Sequence, residues 1–74
     1  MNTNCSRIEE LTPREREVVE AVIAGQTDRE IGARLYISHR TVHNHLQNIF
    51  EKLGVRTRTQ VAVLYLAHEL SSAQ

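Results

Sequence analysis

Residues 27–53 read TDREIGARLYISHRTVHNHLQNIFEKL, and this stretch decides the fold. It divides into two helices joined by a short turn. Thr27 is followed three residues later by Glu30, so hydroxyl and carboxylate can each satisfy an otherwise orphaned backbone N–H. A first helix is therefore expected from Thr27 to about Leu35. Tyr36-Ile37-Ser38 form the turn. Ser38 can cap a second helix, and Ile37 and Val42 flank that cap at the spacing of a hydrophobic staple. The second helix runs to Leu53. Gly32 costs roughly 1 kcal/mol relative to Ala inside a helix, and a close helix crossing is the reason expected for it.

The second helix sorts its residues by face. Val42, Leu46, Ile49, Phe50 and Leu53 follow helical spacing and form one apolar stripe. The opposite face holds Arg40, His43, Asn44, Gln47 and Glu51. A solvated helix face is usually rich in Lys and Glu, whereas Arg, His, Asn and Gln are side chains that read base edges or bind phosphate. Two short helices, a three-residue turn and such a face describe a helix-turn-helix of the DNA-binding kind. In that arrangement Arg40, Asn44 and Gln47 read bases, Arg preferring guanine and the amides adenine. Ser38, Thr41 and the helix N-terminus hold phosphates. An ordinary solvated face is the alternative, and Glu51 is read as solvent-exposed rather than DNA-facing.

Upstream, Leu11-Thr12-Pro13-Arg14-Glu15 is a dense helix start. Thr12 caps, Pro13 takes the first helical position where a missing N–H costs nothing, and Glu15 completes a capping box. This helix continues to about Ala24 with Val18, Val19, Val22 and Ile23 inward, and Gly25 ends it in a left-handed conformation. The alternation Arg14-Glu15-Arg16-Glu17 reads as a solvated face. Residues 1–10 read as a flexible tail or linker, with an isolated Ile8 and an unpaired Cys5.

Downstream, Gly54 ends the long helix as Gly25 ended the first. Thr57 and Gln60 make a third capping box, opening a fourth helix from about Arg58 to Leu70. Its sequence RTQVAVLYLAHEL is apolar almost all round. So small a chain cannot bury such a helix on every side. Val61, Ala62, Tyr65 and Leu66 are assigned to the core. Val63, Leu64 and Ala67 then share an outward stripe with Gln60 and are read as a dimer interface; loose packing of a terminal helix is the competing reading. Residues 71–74 read as a flexible tail.

With 74 residues the chain holds one small domain. One cysteine allows no internal disulfide, which fits a reducing, cytoplasmic setting. No apolar run approaches the ~20 residues of a membrane span, so no membrane partner is expected, and the start MNTNCSRIEE has no signal-peptide core. Formal net charge is zero. Its distribution is uneven: residues 1–24 carry three basic and five acidic side chains, and residues 25–60 carry six basic, three acidic and three histidines. Positive charge thus sits with the helix-turn-helix, although its small amount predicts a shallow salt dependence for one copy on DNA. Arg29, Arg56 and Arg58 can each contact phosphate or solvate a helix end. His39 and His43 lie one turn apart, a spacing that can suit zinc, but no third ligand is evident and no metal is expected. No nucleophile–base–orienter set, Gly-rich phosphate loop or strand pattern is found, so neither enzymatic activity nor a cofactor is expected.

LTPREREVV at 11–19, AGQTDREIGARLYIS at 24–38, TVHNHLQNIFEKLGV at 41–55 and RTQ at 58–60 resemble the DNA-binding domain of LuxR-family bacterial transcription regulators. The same domain is found at the end of NarL- and FixJ-type response regulators. The resemblance covers residues 11–70. It implies an all-α, four-helix tetrahelical domain whose third helix enters the major groove and whose fourth mediates dimerisation on two half-sites. It also implies DNA contacts at His43, where the family usually has Lys, at Asn44, and at Gln47, a position that is often basic. The family's common Asn-Lys or Asn-Arg appears as Asp28-Arg29, which places Arg29 among the expected contacts. Together these residues lead to a sequence-specific transcription regulator that binds a pseudo-palindromic duplex as a homodimer, with RNA polymerase admitted as a further partner. The expected DNA contacts are Arg29, Ser38, Arg40, Thr41, His43, Asn44, Gln47 and Arg58. Two alternatives remain: a sigma-factor region-4 domain, disfavoured by the capped apolar fourth helix, and a protein-interaction module on the same fold.

Overall fold

The computed structural model describes residues 8–72, in four helices: α1 (Pro13–Ile23), α2 (Asp28–Leu35), α3 (His39–Leu53) and α4 (Arg58–Ser72). The all-α, four-helix expectation is met. Each helix starts where its sequence says it should. Thr12 and Thr27 accept the amides of Glu15 and Glu30, whose carboxylates accept the cap amides in return. Ser38 Oγ accepts the Thr41 amide at 3.1 Å. Before α4, Thr57 Oγ1 accepts the Gln60 amide, and Gln60 Oε1 accepts the amides of both Arg56 and Thr57.

The helix ends are equally local. Gly25 at φ +84° stops α1: its amide bonds the Val22 carbonyl and the Gln26 amide bonds Ala21, the paired closure of a Schellman motif. Gly54 at φ +69° stops α3. At the end of α2 the left-handed position is filled by Tyr36 at φ 61°, an uncommon choice for a bulky side chain.

α1 packs against all three other helices, and the most extensive helix pairing is between α2 and α3. The core gathers Val18, Val19 and Ala21 of α1, Ile31 of α2, Val42, Leu46, Ile49 and Leu53 of α3, and Val61 and Tyr65 of α4. Gly32 is buried where α2 meets the turn. A Cβ there would lie 2.6 Å from the Ile37 carbonyl oxygen and 3.3 Å from the His39 amide nitrogen. The close approach expected at Gly32 is therefore to the turn backbone that sets the α2–α3 angle.

Three sequence expectations are corrected. Ile8 is fully buried and belongs to the core. Its carbonyl accepts the Leu11 amide and the Arg16 guanidinium, so ordered structure begins before residue 11. Residues 1–7, including Cys5, and residues 73–74 lie outside the described range, and α4 continues to Ser72. Glu15 does not lie on a solvated face. It is 4 % exposed and receives the Lys52 ammonium of α3 at 2.8 Å. On α4, Leu66 is 47 % exposed whereas Leu64 is half-buried against the core. The buried line of α4 runs through Val61 and Tyr65, flanked by Leu64 and His68, and this rotation turns Leu66 outward.

Candidate nucleic-acid interface

The buried stripe of α3 leaves the opposite side of the helix uncovered. Arg40, His43, Asn44, Gln47 and Asn48 are all exposed there. At about 100° per residue, Arg40, Asn44, Gln47 and Glu51 follow one line down the helix, with His43 on one flank and Asn48 on the other. Asn48 belongs to this surface and escaped the sequence reading. Its place beside the buried Ile49 was the available signal, because it puts the amide about 100° away from the core.

The N-terminus of α3 differs from those of α1 and α2. Glu15 stands in the first turn of α1, and Asp28 and Glu30 in that of α2, where carboxylates complement the positive end of the helix dipole. The first turn of α3 carries no acid and holds His39 and Arg40. A cation there opposes the dipole by several tenths of a kcal/mol, so helix stability does not account for Arg40. A helix N-terminus that carries a cation in place of an acid is chemically suited to receive an external anion. Ser38 and Thr41 stand at the same end with their hydroxyls 3.0 Å apart. Ser38 is exposed and Thr41 half-buried.

The remaining expected contacts distribute unequally. Arg29 is exposed in the first turn of α2. Arg58, at the start of α4, directs Nη2 to the Asp28 carboxylate at the start of α2, so one expected phosphate ligand is engaged within the chain. A groove of about 360 Å³ lies between these helix starts and α3, lined among others by Asp28, His43, Gln47, Arg56 and Arg58. It therefore adjoins the exposed face of α3. Among the described residues no group of three or more His, Cys, Asp or Glu side chains is placed to hold a metal ion, and no helix is long and apolar enough to cross a membrane.

Beneath the interface, the Lys52–Glu15 pair ties the last turn of α3 to the first turn of α1. Burial raises the Glu15 pKa, but the Lys52 ammonium and the Thr12 amide outweigh it and hold the carboxyl below its ordinary value. Tyr65 shifts upward, through burial first and the nearby Glu20 and Glu69 carboxylates second.

α4 presents Val63, Leu66, Ala67 and Leu70 at helical spacing. Val63 is 60 % and Leu70 71 % exposed. Ala67 is also exposed, and half-buried Leu64 lines a groove of about 350 Å³ with Gly54, Val55, Thr59, Gln60 and Val63. Of the expected interface residues Val63, Leu64 and Ala67, the first and third lie open. Leu66, expected from sequence in the core, and Leu70 join them as exposed apolar neighbours.

A tight α2–turn–α3 unit, braced by α1 and carrying a polar second helix with an acid-free N-terminus, defines a helix-turn-helix domain. The chain belongs to the luxR family of bacterial regulatory proteins, whose pattern matches residues 9–65. It is 49 % identical over 53 residues to the spore germination protein GerE of Bacillus subtilis (strain 168), covering 72 % of each chain. It is 49 % identical over 53 residues to the transcriptional regulatory protein DegU of Brevibacillus brevis, and 47 % identical over 55 residues to the transcriptional regulatory protein LiaR of Bacillus subtilis (strain 168). Those matches cover 72 % and 74 % of this chain but only 22 % and 26 % of the two regulators.

Proposed function

We propose that this chain is a sequence-specific, DNA-binding transcription regulator that inserts the first turns of α3 into the major groove and pairs with a second copy through α4. The observation that carries the DNA reading is the exposed Arg40–Asn44–Gln47 line behind a capped helix end that holds a cation in place of an acid. Family membership supports the same class of activity. Arg40, His43, Asn44 and Gln47 supply base contacts. Ser38, Thr41, the free amides of α3 and Arg29 hold the backbone in register. Pairing through Val63, Leu66, Ala67 and Leu70 sets two recognition helices on the half-sites of a pseudo-palindrome.

An amide-shift titration of the labelled domain with a short duplex at low salt tests the DNA part. Shifts are expected to cluster on residues 38–48, to fade as salt is added, and to vanish in Arg40→Glu while that variant keeps its fold. Movement confined to residues 60–70 with rising protein concentration would instead make this a protein-interaction module.

A further inference from the structure

The Asp28–Arg58 ion pair spans two helix starts at the border of the candidate interface. Asp28 is the first residue of α2 and Arg58 the first of α4. Both stay partly open to solvent, and a pair of that kind contributes little to stability. Its position matters more. The groove holding the pair is closed on its other side by His43 and Gln47 of α3. In a helix-turn-helix the first helix crosses the DNA backbone while the second enters the groove, so the start of α2 lies where a phosphate arrives. An acid at that point repels the phosphate and holds the nearby guanidinium that would bind it.

We propose that Asp28 is an internal counter-anion that competes with a DNA phosphate for Arg58 and thereby limits the affinity of the domain for DNA. The proposal rests on the DNA reading above and adds a determinant of affinity to it. Without DNA, the carboxylate occupies Arg58. On DNA, the guanidinium must leave Asp28 to take a phosphate, or stay and contribute no contact. In either case one cation of this sparsely basic face does not count fully toward counterion release. Asp28→Asn keeps the shape and polarity of the side chain, removes its charge and frees Arg58.

Duplex binding is measured by fluorescence anisotropy from about 50 to 200 mM salt for the wild type, Asp28→Asn, Arg58→Gln and the double variant, each checked for unchanged helicity. One phosphate gained corresponds to about fivefold to tenfold tighter binding at 0.1 M salt and a salt slope steeper by about 0.9. Asp28→Asn is expected to show both. Arg58→Gln is expected to bind more weakly than the wild type, because it leaves the Asp28 charge uncompensated beside the arriving phosphate, and the double variant is expected to lose the gain. Asp28→Ser repeats the charge removal with a different side chain and is expected to show the same gain. Unchanged or weaker binding by Asp28→Asn and Asp28→Ser overturns the proposal. So does a gain that survives in the double variant, which would make the acid a general repulsive charge acting without Arg58. If no variant binds DNA at low salt, the DNA reading falls and this proposal with it; equal binding by all four removes this proposal alone.

Discussion

Glu15 shows how one side chain serves two elements. Its carboxylate closes the capping box of α1 on the Thr12 amide at 2.9 Å and receives Lys52 from the far end of α3 at 2.8 Å. Removing the charge from a buried carboxylate removes its ion pair with Lys52, so Glu15→Gln is expected to destabilise the domain by about 1–3 kcal/mol at neutral pH. The pH dependence has a definite sign. The folded carboxyl titrates below its ordinary value of 4.5, so its contribution is complete above that pH and lost as pH falls through the lowered folded value. Urea denaturation at neutral and strongly acidic pH checks this: the gap between wild type and Glu15→Gln is expected to close in acid. A gap of constant size would mean that the Glu15 charge is not what stabilises the fold. The capping half of this role was legible in the Thr12–Glu15 spacing. The Lys52 half was not, because the partner lies 37 positions away and only the packing of α1 on α3 brings the two together.

At the level of elements, the α2–turn–α3 unit depends on its turn. The amides of Tyr36 and Ile37 both close on the Gly32 carbonyl, and the Gly32 Cα faces the Ile37 carbonyl oxygen so closely that a side chain has no room. Gly32→Val is expected to force the turn outward, to cost about 2 kcal/mol or more of stability through overpacking and β-branching in a helix, and to weaken DNA binding by tilting α3. Thermal denaturation and duplex binding of the same variant test the two effects together. Wild-type stability in Gly32→Val would show that the turn yields easily and that the glycine is dispensable. The boundaries of these elements were readable because caps and left-handed stops are local, chemical signals. The rotation of α4 was not. A helix apolar on nearly every side offers no contrast from which to choose its buried line, and only the shape left between α1 and α3 sent Leu64 inward and Leu66 outward.

Across the whole molecule, the polar face of α3 and the apolar face of α4 give one small domain two separate surfaces. Val63, Leu66 and Leu70 place three exposed apolar side chains on one stripe of α4, which water disfavours and a second copy would cover. On a duplex with two half-sites the wild type is expected to bind cooperatively, two copies to one DNA. Leu66→Glu with Leu70→Glu is expected to bind each half-site independently with little change in single-site affinity, as read by sedimentation and by titration of one-site and two-site duplexes. Cooperative binding that survives the double substitution would move the pairing surface away from α4. The exposed residues Arg40, His43, Asn44 and Gln47 of the polar face were all legible from the period of α3, since a strong apolar stripe fixes what lies opposite it. Asn48 and the Asp28–Arg58 pair were not, the first because it sits at the margin of that face and the second because it joins two helix starts 30 residues apart.

The amino-acid sequence alone determined the helix count, the helix starts, the turn between α2 and α3, the polar face of α3 and the kinship with the luxR family. The kinship rests on the resemblance of motifs spread along residues 11–60; the others rest on interactions among residues within about one helical turn, or on a pattern that repeats along one helix. Only the tertiary structure decided that Ile8 completes the core, that Glu15 is buried with Lys52, that Arg58 is held by Asp28, and which side of α4 stays open. These depend on distances between segments far apart in the chain. They are set by how four helices of given shape fill the space between them, and no local spacing encodes them.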